Sequence, residues 1–83
     1  MMIIEEAFAG NRCRAGFNNT VKLVKRGAAE AVYLASDADE DIASQIRAVC
    51  RAAGITPDER FDKKALGKRC GIRVGCAAAA ILK

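Results

Sequence analysis

The chain has 83 residues, 52% of them apolar, and its 14 Lys and Arg exceed its 10 Asp and Glu by a net charge of +4, with no His and no Trp. That length fits one domain, residues 1–83, and the apolar fraction excludes a disordered tail. The missing His removes the commonest acid–base group and metal ligand, and the longest apolar run, residues 76–82, is far short of the ~20 needed to cross a bilayer.

In chain order, residues 2–9 predict a short helix ended by Gly10-Asn11, without the basic start and long apolar stretch of a signal peptide. Residues 12–15 are a polar candidate strand. Asn18 reads as the N-cap of a helix over residues 20–25, with Gly27 as its stop. Residues 31–35 form a continuous apolar run of strand length, as expected for a strand covered on both faces. Ser36-Asp37-Ala38-Asp39 is turn and cap chemistry. Ile42, Ile46, Val49, Cys50 and Ala53 then recur with helical spacing, and Gly54 closes that helix.

Residues 55–60 read as a short strand edged by Pro57. Asp62 caps a helix over residues 63–70, which Gly71 ends, and residues 72–75 are a loop. Residues 76–82 are ambiguous: alanine-rich composition favours helix, while Ile81 and Leu82 suit a strand. The alternation of strands and helices argues for an α/β sandwich.

Charge is segregated along the chain. Residues 7–29 hold five bases and no acid, and residues 63–83 hold six bases and no acid, so two segments carry +11 and the remainder −7. Placed side by side they would make a cationic face that attracts nucleic acid. Cys13, Cys50, Cys70 and Cys76 contain no Cys-x-x-Cys pair, which speaks against a zinc ribbon or thioredoxin-type motif. They read as reduced, mostly buried thiols of a cytoplasmic protein. A redox pair of Cys70 and Cys76 is the weaker alternative.

Two segments are candidate sites. In Gly16-Phe17-Asn18-Asn19-Thr20-Val21-Lys22, a helix start offers backbone N–H groups and positive dipole to a phosphate. Asn18 and Asn19 can read base edges as both donor and acceptor, and Lys22 lies one turn further on. The plainer reading is an Asn cap with a solvated Lys. In Leu66-Gly67-Lys68-Arg69-Cys70-Gly71-Ile72-Arg73-Val74-Gly75, bases are followed by apolar loop residues that can stack on extruded nucleotides; the plainer reading turns Ile72 and Val74 into the core. The acidic run Asp37, Asp39, Glu40 and Asp41 reads as capping and dipole stabilisation rather than a cation site. No nucleophile–base pair or phosphate loop points to an enzyme. Tyr33, Phe8, Phe17 and Phe61 are too few for an aromatic RNA platform.

These segments, with Lys25-Arg26-Gly27 and Ala35-Ser36-Asp37-Ala38-Asp39 between them, resemble the kink-turn-binding ribosomal protein family over about residues 15–82. The resemblance implies a three-layer α-β-α sandwich with a mixed sheet of about four strands, and settles residues 76–82 as a strand. It implies no enzymatic activity, no cofactor and no metal. The implied partner is a kink-turn, in ribosomal RNA or another structured RNA, bound by a cytoplasmic monomer with the ribosome as a candidate larger assembly and no membrane contact. Gly16, Phe17, Asn18, Asn19 and Lys22 match the segment that meets the tandem sheared G·A pairs. Lys25, Arg26, Lys68 and Arg69 would attract phosphate, and Ile72, Arg73 and Val74 match the loop that covers bulged nucleotides. The family often has Glu where this chain has Asn19, so a charge-assisted bond to guanine gives way to a neutral one. Upstream, Arg12 and Arg14 replace an apolar strand and would add cation near the RNA. A protein–protein adaptor that uses the basic face within a ribonucleoprotein complex is the alternative.

Overall fold

The computed structural model describes residues 12–72 and 74–83; the helix expected over residues 2–9, and Arg73, lie outside the described residues. Strand β1 (Cys13–Ala15) leads into helix α1 (Phe17–Lys25), followed by β2 (Ala29–Leu34), α2 (Glu40–Ala53), α3 (Lys63–Cys70) and β3 (Ala78–Leu82). The sheet has the order β1-β3-β2 with both pairings antiparallel.

The sheet corrects the expectation of about four mixed strands. Residues 55–60 do not form a strand: one parallel bridge joins Tyr33 to Asp58. It is made by Leu34 N–H to the Asp58 carbonyl and Asp58 N–H to the Val32 carbonyl, both at 2.9 Å. Asp58 directs both its N–H and its carbonyl toward β2, so the nitrogen of Pro57, which has no hydrogen to donate, faces away from the sheet, where an edge tolerates it. Residues 78–82 do form a strand, and it is the central one. Helix propensity loses here because β3 is hydrogen-bonded on both sides and buried from Ala78 to Ile81.

The sheet's pleat separates two cores. Val32, Leu34, Ala78 and Ala80 face α1 and α2, where they meet Val24, Ala43, Ile46 and Cys50. Tyr33, Ala79 and Ile81 face α3, where they meet Leu66 and Cys76. Helices therefore cover both faces, as the α/β sandwich requires. Leu34, Ile46, Leu66 and Ile81 are fully buried, each contributing about 1.5–3 kcal/mol. The buried face of α2 is Ala43, Ile46 and Cys50, with Ile42 and Val49 at its margin; Ala53, expected on the same face, is exposed.

The ends of α2 and α3 follow their cap chemistry. Gly54 and Gly71 each close a helix in the left-handed conformation, φ 74° and 76°. Asp62 Oδ1 accepts from Ala65 N–H at 2.8 Å, and Asp37 Oδ1 accepts from Lys63 N–H at 2.7 Å. Asp37 thus closes α3, across the fold, rather than the helix that follows it in sequence. Asp39 stands at the N-cap of α2 without a side-chain bond, leaving Glu40 and Asp41 to meet its dipole.

Ile72, Val74 and Gly75 lie back against α3. Ile72 N–H donates to the Gly67 carbonyl at 3.0 Å, and Cys76 N–H to the Lys63 carbonyl at 3.0 Å. A Cβ on Gly67 would lie 2.3 Å from the Val74 carbonyl oxygen, so glycine at this position permits the close approach. Helix propensity alone favours Gly67→Ala by about 0.8–1.0 kcal/mol, whereas overpacking typically costs about 1–3 kcal/mol. Net destabilisation with a displaced loop is expected, read as a lower denaturation midpoint; a raised midpoint would show that the loop does not clamp α3.

Candidate functional site

The end of β1, the end of β2 and the start of β3 lie together, because Ala15 pairs with Ala79 and Leu34 with Ala78. The described segments that leave or enter the sheet there share one end of the molecule: the start of α1, residues 36–39, the start of α3 and residues 74–77.

The start of α1 is set by Gly16. Its backbone, φ 110° and ψ 150°, is in a region that only glycine adopts readily. Its N–H donates to the Ala78 carbonyl at 2.8 Å. Buried Thr20 fastens the other side, donating to the Gly16 carbonyl from its N–H at 3.0 Å and from Oγ1 at 2.8 Å. Gly16, not Asn18, is therefore the N-cap, and the helix begins at Phe17, three residues before the expected start. Its apolar residues explain the shift: Phe17, Val21 and Val24 pack on the core with Thr20 between them, a helical stripe that needs Phe17 inside the helix.

This places Asn18 and Asn19 in the first turn, both exposed. No side chain caps the helix and its first turn holds no acid, so the N–H groups that a helix start leaves without an intrahelical acceptor remain for an outside partner. Asn19 Nδ2 donates to the Ala15 carbonyl at 2.9 Å, which turns the amide so that Oδ1 is the acceptor for an outside donor. Asn18 and Lys22, four residues apart, share an exposed stripe that Lys25 and Arg26 continue. Lys25 stands about 12 Å along the axis from the helix start at 1.5 Å per residue. Phe17 contributes its backbone here, since its side chain packs against the core.

On the other side of the sheet end, Lys63, Lys64, Lys68, Ile72, Val74, Gly75 and Asp37 line an open cleft of about 430 Å³. Ile72 is 37% and Val74 71% exposed, against the reading that buried them. Lys68, Ile72 and Val74 thus line one cleft. Lys63 and Lys64 are additions; their signal in the sequence was the four-residue spacing of Lys64 and Lys68, which puts both on one helix face. Arg69 is on α3 with its guanidinium carbon 5.0 Å from the centre of the Phe61 ring, a cation–π contact.

The basic segments do not form one continuous face. Arg12 is ion-paired to Glu30 and donates from Nε to the Leu82 carbonyl, at the opposite end of the sheet, so the cation expected from it near the site is neutralised elsewhere. Residues 36–41, with four acids, leave β2 at the site's own end.

Residues 3–83 match the family described as "Ribosomal protein L7Ae/L30e/S12e/Gadd45 family". The chain is 34% identical to the RNA-binding protein YbxF of Geobacillus stearothermophilus over 82 residues, 99% of this chain and 100% of that one. A solved Giardia lamblia 15.5kD RNA binding protein superimposes with a TM-score of 0.85 at 31% identity, over 96% of this chain and 68% of that one. A Bacillus halodurans protein of unknown function shares the fold at 20% identity with a TM-score of 0.85, over 96% of this chain and 80% of that one.

Replacing Gly16 by Ala is expected to cost about 1–3 kcal/mol from backbone strain, because the new Cβ meets nothing nearer than Asn19 Nδ2 at 3.9 Å. Chemical denaturation measures it; an unchanged midpoint would show that α1 can begin without this backbone conformation.

Proposed function

The chain belongs to the ribosomal protein L7Ae/L30e/S12e/Gadd45 family, and from that premise we propose that it is a non-enzymatic RNA-binding protein whose ligand is a kinked RNA, in ribosomal RNA or another structured transcript. The observation that carries the reading is the start of α1: an uncapped, acid-free helix terminus with Asn18 and Asn19 exposed in its first turn and Lys22 on the same side. The relatives named as RNA-binding proteins support it.

The binding follows from the chemistry of these groups. Backbone N–H groups and the helix dipole at residues 17–19 hold a phosphate or a base oxygen. Asn18 and the Asn19 Oδ1 read the edges of the sheared G·A pairs, and Lys22 adds a cation that reaches the same groove. Lys68 and Arg69 hold backbone phosphate, while Ile72 and Val74, with Arg73 between them in sequence, cover nucleotides turned out of the stack. The free RNA junction is flexible. A protein that binds only the kinked conformer shifts the population toward it by its differential affinity.

Titration with a kink-turn RNA, against a control whose G·A pairs are replaced by Watson–Crick pairs, tests this directly. Tighter binding to the kink-turn is expected; equal, salt-sensitive binding to both overturns base reading and leaves electrostatic attraction or the adaptor role. Asn18→Ala is expected to cost about 1–3 kcal/mol on the kink-turn and to narrow the gap to the control. Lys68→Ala should weaken both RNAs alike and reduce the salt slope by about 1. A loss confined to the kink-turn in the Lys68 variant would mean that Lys68 reads bases instead.

A further inference from the structure

The core on the α3 side contains three cysteines with no part in the proposed RNA contact. Cys13 of β1 and Cys70 at the end of α3 are 57 residues apart in sequence, yet their sulfurs are hydrogen-bonded at 2.9 Å. Both are half-buried free thiols. Cys76 lies in the same core as Cys70, with its sulfur 2.9 Å from the Ala78 carbonyl oxygen and the residue only 3% exposed. Cys50 lies apart in the other core, fully buried. Among the described residues, no group of His, Cys, Asp or Glu side chains is placed to hold a metal ion, so metal ligation does not account for the three neighbouring thiols.

We propose that Cys13 and Cys70 are a modification site, a thiol pair that a hydroperoxide converts into an intramolecular disulfide. The pair is positioned for this: a disulfide requires S–S of about 2.05 Å, so sulfurs already in contact need only a small approach. Half-burial leaves Cys13 within reach of a small oxidant.

The step balances as two thiols and one hydroperoxide giving a disulfide, water and an alcohol, or a second water from hydrogen peroxide. The Cys13 thiolate attacks one peroxide oxygen; the S–O bond forms, the O–O bond breaks, and the leaving oxygen takes a proton from solvent. Cys13 is oxidised by two electrons to the sulfenic acid as the peroxide is reduced. Cys70 sulfur then attacks Cys13 sulfur, the S–S bond forms, and the departing hydroxide leaves as water with the Cys70 thiol proton.

The protonation pattern suits these roles. The Cys70 contact holds the Cys13 thiol below its ordinary range, against burial and with help from Arg14. The same contact, with that to Cys76, pushes Cys70 up, so the shared proton stays on Cys70 and Cys13 is the first nucleophile. Cys76 is lowered to about 6 by the Cys70 hydrogen bond and by contacts with the Gly16 and Ala78 backbone, but its burial withholds it from the oxidant. Burial alone raises Cys50. The product would tie the C-terminal end of α3, immediately before residues 71–75, to β1. This proposal does not depend on the RNA reading.

The test treats the reduced full chain with hydrogen peroxide, blocks remaining thiols with an alkylating reagent, and reads intact mass and a non-reducing tryptic digest. Arg73 separates Cys70 from Cys76 in that digest. Expected are a monomer lighter by two hydrogens, two of the four thiols resistant to alkylation, a Cys13–Cys70 linked peptide, and full reversal by dithiothreitol. Cys50→Ser should behave as the unsubstituted chain, and Cys13→Ser should form no Cys13–Cys70 bridge. The oxidised form should also melt higher than the reduced one, since the cross-link restrains the unfolded chain. Four alkylatable thiols after oxidation, a Cys70–Cys76 or intermolecular bridge, or a lower melting point would overturn the proposal.

Discussion

The hydrogen bond from Gly16 N–H to the Ala78 carbonyl ties the start of α1 to the central strand, and the site depends on it. It joins the last turn of chain before α1 to the first residue of the central strand. The positive φ of Gly16 then redirects the backbone so that α1 starts immediately, with Phe17 inward and Asn18 outward. Thr20, buried beneath, returns two hydrogen bonds to the same glycine. The exposed amides stand on a start anchored to the sheet, so their positions derive from the most buried layer of the fold.

That layer is built from small side chains. Ala78, Ala79 and Ala80 occupy the middle strand with no exposure. Small residues on both faces let α1 and α2 approach from one side and α3 from the other. Gly67 continues the logic on α3, where its missing Cβ admits the Val74 carbonyl and lets Val74 and Gly75 lie close against the helix. The cleft with Lys63, Lys64 and Lys68 exists because the loop lies there. The helix start and the cleft thus flank one end of one sheet from its two faces, although they lie about fifty residues apart in the chain.

The sequence made some of this legible and hid the rest for identifiable reasons. Helix α2 was readable because apolar periodicity, an acidic start and a closing glycine all agreed, and α3 because Asp62 and Gly71 bracket it. The start of α1 was misplaced because Asn18 has a good cap side chain, while the backbone dihedral that makes Gly16 the cap leaves no periodic trace. The central strand could not be read from composition at all: alanine runs favour helix in isolation, and only pairing on both sides reverses that. The edge strand at residues 55–60 had suitable residues but supports one bridge beside Pro57. Charge segregation located the basic segments, but not that Arg12 pairs with Glu30 at the far end, nor that Asp37 crosses to cap α3 within the cleft itself. Cys13 and Cys70 gave no signal, being 57 residues apart and joined only by the packing of α3 on β1.

The central claim is that the start of α1 and residues 72–75 engage the same RNA at once. Amide hydrogen exchange of the chain alone and bound to a kink-turn RNA tests it most directly. The account predicts slowed exchange at residues 16–20 and at residues 72–75 together, with residues 47–55 of α2 and its following turn unchanged. Protection centred on α2, or at only one of the two segments, would contradict it.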